Sequence, residues 1–250
     1  MIRFAIAFLA ILTPLRAEWI FSKAETLAAP AGLGFFRCAA REGARRVDLH
    51  VVTFSGKAHT FAVMDNPDGA YNLASAAVKR GALAAVNGGY FHPDRTPLGL
   101  VVRQGVTIHP LERAKLLSGL VVVKKDRVAL LRTGEFRASA EVREALQAGP
   151  FLVDGGKAVA GLDDNRSAVR TVVFADDAGN FGVMMCRSAT LAETGRLLTS
   201  PGLLPVGKIT RALNLDGGSS TALWVKREPP VFYSPEWKGV RNYLAIVPRK

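Results

Sequence analysis

NLDGGSST, residues 214–221, lies near the end of the chain between two apolar runs, with RAL leading in and ALWV leading out. Core packing has no use for a carboxylate, two glycines and three hydroxyls at the end of a buried strand. A strand end of this composition is where folds hold polar ligands. Strand patterns dominate outward from it. Residues 47–54, 57–64, 98–102, 118–125, 127–132, 169–176, 181–186, 221–226 and 243–248 are short runs rich in Val, Leu and Phe. Turns suited to hairpins stand at Lys125-Asp126 and in DDAGN, residues 176–180. Helices are fewer: residues 72–80 ending at Gly81 as a C-cap, residues 139–147, and a helix opened by the capping box Thr190 to Glu193. The pattern predicts an α+β fold, a single domain whose mixed, largely antiparallel sheet carries a few packed helices.

The 250 residues suffice for one large domain. The first of them read as a leader: Met1-Ile2-Arg3 is basic, residues 4–15 are apolar, and Ala17 closes a small-residue exit. An apolar run of that length falls short of the ~20 residues that span a bilayer. Residues 1–17 are therefore expected to be a cleaved signal peptide, leaving a periplasmic or secreted domain over residues 18–250 with no integral membrane anchor. The net charge is +12 and becomes about +10 without Arg3 and Arg16. Such a balance favours an anionic partner, a small molecule or a glycan. The basic residues are dispersed and aromatics make up 8%, which argues against a nucleic-acid stripe with stacking side chains. Cys38 and Cys186 are too few for a structural zinc site, and a disulfide and two buried thiols both stay open.

Four polar islands interrupt the apolar runs: NGGYFHPDRTPLGL (87–100), QAGPFLVDG (147–155), NRSAV (165–169) and LNLDGGSST (213–221). In this order they resemble the phosphodiester glycosidase family, the relatives of N-acetylglucosamine-1-phosphodiester α-N-acetylglucosaminidase, over roughly residues 45–248. The chain departs from that pattern in lacking a third glycine before the serines and in carrying Arg170 where many relatives have glycine. The resemblance implies hydrolysis of a sugar joined through its anomeric carbon to a phosphodiester, in envelope or extracellular glycans. That reaction needs a phosphate grip and stabilisation of an oxocarbenium-like centre.

Arg166 suits the grip, because a guanidinium takes two phosphate oxygens at once. The amides of Gly217, Gly218 and Ser219 offer an anion-holding concavity. Asp216 is the carboxylate for nucleophile, base or cation stabiliser, and a phosphate leaves readily enough to need no second acid. Asn87, Gly88, Gln147, Asn214, Ser220 and His92 complete the expected substrate lining. Each has a plainer reading: Arg166 and His92 as surface loop residues, Asp216, Asn87 and Asn214 as turn formers, Ser219, Ser220 and Thr221 as donors within the turn. No metal and no cofactor are expected, since there is no EF-hand loop, no HExxH and no Cys/His cluster. The alternative to an enzyme is a non-catalytic phosphate or glycan binder on the same fold. The four islands are expected to converge.

Overall fold

The computed structural model describes residues 18–125, 127–203, 207–227, 229 and 231–249. The expected leader over residues 1–17, and Asp126 of the expected turn, lie outside the described residues. Among the described residues the strands form three sheets. The largest runs in spatial order through Ile20–Phe21, Leu33–Glu42, Arg45–Ser55, Asn180–Ala189, Ala168–Asp176, Ile209–Asn214, Phe151–Asp154 and Lys157–Ala158, with Glu25–Thr26 also paired to Leu33–Glu42. The second orders Arg127–Arg132, Gly119–Lys124, Val142–Ala148, Val101–Arg103 and Val106–His109. The third orders Phe232–Ser234, Leu223–Val225, Ala84–Asn87, Asn242–Pro248 and His59–Asp65. The pairings are antiparallel throughout. The architecture is thus the α+β single domain expected, with sheets outweighing helices.

Local chemistry explains the joints. The DDAGN turn closes the hairpin between Ala168–Asp176 and Asn180–Ala189, where Asp176 Oδ1 accepts from the amides of Ala178 at 2.9 Å and Asn180 at 2.8 Å. Gly179 supplies the left-handed residue there, with φ 81°. The inner faces of all three sheets meet in one core, in which Phe35, Phe61, Leu146, Phe151, Leu213 and Ile246 are all but inaccessible. Helix Leu73–Arg80 is capped by Asn72 and by Gly81 at φ 68°, and lays Leu73 and Ala77 on the outer face of the third sheet. Helix Leu191–Thr199 carries the expected capping box, and its Leu197 and Leu198 cover the outer face of the largest sheet. No described helix is long and apolar enough to cross a membrane.

One expectation is overturned. Residues 139–147 were expected to be helical, but Val142–Ala148 is a strand paired on both sides, with Gly119–Lys124 and Val101–Arg103. Its Glu, Ala, Leu and Gln favour helix by a few tenths of a kcal/mol each. Two ladders and burial of both faces outweigh that preference: Val142 and Ala145 pack on the outer side, Leu146 and Ala148 in the central core.

The register also decides the cysteines. Leu49 is paired with Cys38 on one neighbouring strand and with Cys186 on the other. Two inter-strand spacings put them about 9–10 Å apart, beyond the roughly 7 Å that a disulfide bridges. Both are buried free thiols. Burial pushes the Cys186 thiol up to about 12.

Candidate active site

The NLDGGSST stretch is where the chain leaves the largest sheet, at Asn214, to enter the third, at Leu223. Main-chain hydrogen bonds pin this crossing to both: Leu215 donates to the Thr171 carbonyl at 2.8 Å, and Asp216 donates to the Gly88 carbonyl at 3.1 Å. Gly217 lies so close to the next strand that a Cβ there would stand 2.9 Å from the Val169 carbonyl oxygen. Gly218 takes φ 62° to open a 3₁₀ turn, Gly218–Ser220. The turn curls back on the carboxylate, so that Asp216 Oδ1 accepts from the Gly217 amide at 2.8 Å and the Ser220 hydroxyl bonds the same carboxyl. Burial raises the Asp216 pKa from 3.8, and these two donors offset part of the rise.

All four polar islands meet around this turn. Asn87 donates to the Asp216 carbonyl at 2.7 Å. Tyr90 donates its hydroxyl to the Gly149 carbonyl at 2.6 Å, which ties the first island to the second. Asn214 donates to that carbonyl at 3.0 Å and to Tyr90 Oη at 3.0 Å. The third island arrives through Val169, whose carbonyl accepts from the Thr221 hydroxyl at 3.3 Å, and Arg170 just beyond it runs beneath Gly217, its Cδ 4.0 Å from where a Cβ would stand. Its guanidinium donates to the carbonyls of Ala189 at 2.9 Å and Arg166 at 2.5 Å. Tyr90 feels the charges of both Asp216 and Arg170, and burial is the main cause pushing its hydroxyl pKa upward.

The residues expected to line the substrate divide. Asn87 and Gln147 are completely inaccessible and saturated by protein, a correction to their expected contact with ligand. Asn87 Oδ1 accepts from the Thr171 hydroxyl at 2.6 Å and the Ala222 amide at 3.1 Å. Gln147 Oε1 accepts from the amides of Leu100 at 2.8 Å and Glu112 at 3.1 Å, and its Nε2 donates to the Glu112 carbonyl at 2.7 Å. Asn214 is buried in the same manner, although its Oδ1 has no partner. Gly88 is pressed against the Asn242 side chain, leaving no room for a Cβ. The Gly217 amide is spent on Asp216. These residues hold the turn.

Gly218, Ser219 and Thr221 do open on a cleft of about 320 Å³, lined further by Val169, Arg187 and Trp237. Arg166 is exposed on its loop, four residues before the buried Arg170. His92 is exposed where its amide closes a hairpin onto the Thr96 carbonyl at 2.8 Å. Sequence reading passed over Tyr90, Arg187 and Trp237. Tyr90 stood in plain view inside NGGYF, whereas nothing local to Arg187 or Trp237 marks them. Among the described residues no three His, Cys, Asp or Glu side chains gather as a metal site.

Comparison with known proteins places the chain in a family. Residues 80–247, which contain all four islands, match the model of the phosphodiester glycosidase family. YigE of Escherichia coli K12 is 29% identical over 115 residues, a stretch covering 42% of this chain and 45% of that protein, so the match spans less than half of that relative. The catalytic domain of zebrafish N-acetylglucosamine-1-phosphodiester α-N-acetylglucosaminidase shares the fold with TM-score 0.65 and 17% identity, over 90% of this chain and 88% of that one. A hypothetical protein from Synechocystis superposes with TM-score 0.63 and 16% identity, over 91% of this chain and 64% of that one. A putative exported protein of Burkholderia pseudomallei K96243 gives TM-score 0.56 and 13% identity, over 85% and 77% of the two chains. The chain belongs to the phosphodiester glycosidase family.

Proposed function

We propose that the protein hydrolyses glycosyl phosphodiesters at the turn 216–221, acting on glycans outside the cytoplasm. One observation carries this reading: two neighbouring guanidiniums, Arg166 and Arg170, form no salt bridge among the described residues, and the Arg170 side chain packs beneath Gly217, the residue that follows the half-buried Asp216. Arg170 is only 8% exposed, its guanidinium donates to two carbonyl oxygens, and the Asp163 carboxylate acts on it only through space, without a salt bridge. A buried cation next to a second one is costly unless an anion joins them. A phosphodiester supplies that anion, and the family's chemistry acts on it. In this scheme the guanidiniums and the amides of Gly218 and Ser219 hold the phosphate. The bond from the anomeric carbon to the phosphate oxygen breaks, and its electron pair leaves with the phosphate. Water adds its oxygen to the anomeric carbon and passes a proton to Asp216.

The test is turnover of a panel of sugar 1-phosphodiesters by the purified protein. Asp216→Asn is expected to lower kcat by about 10²–10⁴-fold, the usual range for a proton acceptor. Arg166→Lys and Arg170→Lys each lose a forked contact worth about 1.5–3 kcal/mol, or tenfold to a hundredfold in kcat/KM. Parental turnover by Asp216→Asn would overturn the assignment, and tight phosphoglycan binding with no turnover by the parent would make the protein a binder. The export half of the proposal rests on the basic start and the apolar run before Ala17. Protein from the native host should begin near Glu18, and an intact Met1 in the cytosolic fraction would remove that half.

A further inference from the structure

The cleft beside the turn does not end at the turn. Arg187 forms one wall of it and also one wall of a second groove of about 580 Å³, which continues past Arg37, Arg46 and Lys23. A β-bulge aims Arg187 there. Ala168 pairs with Ala189 and Arg170 with Cys186, so Arg187 and Ser188 together face the single residue Val169. Ser188 takes φ 58°, a conformation a serine adopts only under constraint. Bulges of this kind re-aim side chains beside functional sites. In the second groove Glu25 is already paired with Arg37 at 2.5 Å and Asp48 with Arg46 at 2.9 Å. Arg187 and Lys23 have no such partner among the described residues, so the groove is left with two uncompensated positive charges.

The other wall of the first cleft is Trp237, which is 89% exposed. Its amide donates to the Ser219 carbonyl at 2.9 Å, so the indole is carried by the active-site turn itself. A tryptophan held at the mouth of a polar cleft offers a flat apolar platform to the carbon face of a sugar ring.

We infer that the substrate is an oligomeric phosphoglycan rather than a single glycosyl phosphodiester: one sugar rests on Trp237 beside the turn, and the next phosphate along the chain sits in the groove headed by Arg187. The nature of the anion rests on the hydrolase reading above, whereas the two-pocket geometry does not.

Binding can be read without turnover. Trp19 and Trp224 are each 3% exposed, so Trp237 dominates quenching of intrinsic fluorescence by iodide. Three probes are titrated by calorimetry into the Asp216→Asn protein: glucose 1-phosphate, a tetramer of glucosyl units joined by 1-phosphodiester bridges, and uncharged maltotetraose. The tetramer is expected to bind at least about tenfold tighter than glucose 1-phosphate and to shield Trp237 from iodide, since a charge-assisted contact and a stacking contact each bring a gain of that order. Arg187→Ala and Trp237→Ala, both at exposed positions, should each remove most of that advantage. Equal affinity for monomer and tetramer, or maltotetraose binding as tightly as the tetramer, would overturn the inference. The two readings fail separately. A parent protein that prefers and shields the tetramer without cleaving it loses the hydrolase assignment alone. One that cleaves small phosphodiesters with no preference for the tetramer loses this inference alone.

Discussion

At the scale of the residue, Asp216 carries the most consequence. Burial lifts its pKa above 3.8, and the Gly217 amide and Ser220 hydroxyl restrain the rise. In the proposed role of base Asp216 works when deprotonated, so kcat/KM should fall with decreasing pH through that raised value. The acid limb of the pH profile should therefore lie above the ordinary range for an aspartate. Stability follows the opposite sense. A carboxyl whose folded pKa exceeds its unfolded value holds its proton more tightly when folded, so stability declines as pH rises between the two values. Asp216→Asn keeps an oxygen for both donors and removes the buried charge. Its melting temperature at pH 7 should equal or exceed the parent's while activity is lost, and a clear drop in melting temperature would show the charge to be structural. Asp216 was legible in the sequence because a carboxylate before two glycines announces itself. Asn87 was not, because its partners Asp216 and Ala222 stand 129 and 135 residues away along the chain. Only their arrival decides whether an amide faces ligand or protein.

At the scale of the element, the crossing between sheets depends on close backbone approach. Gly88 donates to the Asn242 carbonyl at 2.9 Å, and the Asn242 side chain in turn accepts from the Gly89 amide at 2.8 Å. A methyl at Gly88 would collide with that side-chain oxygen. Gly88→Ala should cost about 1–3 kcal/mol, typical of overpacking a buried site, or roughly 2–4 °C of melting temperature per kcal/mol in a chain of this size. Gly134 has open space around its Cβ position and makes the control, with Gly134→Ala expected to melt like the parent. Identical melting of the two variants would refute the close approach. The strand Val142–Ala148 belongs to this scale too. Its composition favours helix, yet it fills the centre of a sheet because strands on both sides present it with ladders. The helices Leu73–Arg80 and Leu191–Thr199, by contrast, are marked in the sequence by the caps Asn72, Gly81 and Thr190 at their ends.

At the scale of the whole molecule, the site exists because the largest and third sheets share the central core and the chain passes from one to the other through the polar turn at residues 215–222. That arrangement sets Arg170 under Gly217, Tyr90 against Gly149, and Trp237 beside Ser219. The same register keeps Cys38 and Cys186 one strand apart from each other across Leu49, so the fold rests on packing without a bridge between them. Short-range chemistry determined what could be read in the linear chain: alternating apolar strands, Asn72 and Thr190 as caps, left-handed glycines, and a ligand-type strand end at residues 214–221. Tertiary structure alone decided that Asn87 and Gln147 are struts, that Val142–Ala148 is a strand, and that Arg187 and Trp237 share a cleft. The division has a physical cause. Caps and turns are settled by hydrogen bonds within a few residues, whereas the direction a buried amide or a bulged arginine faces is settled by groups that only folding brings near.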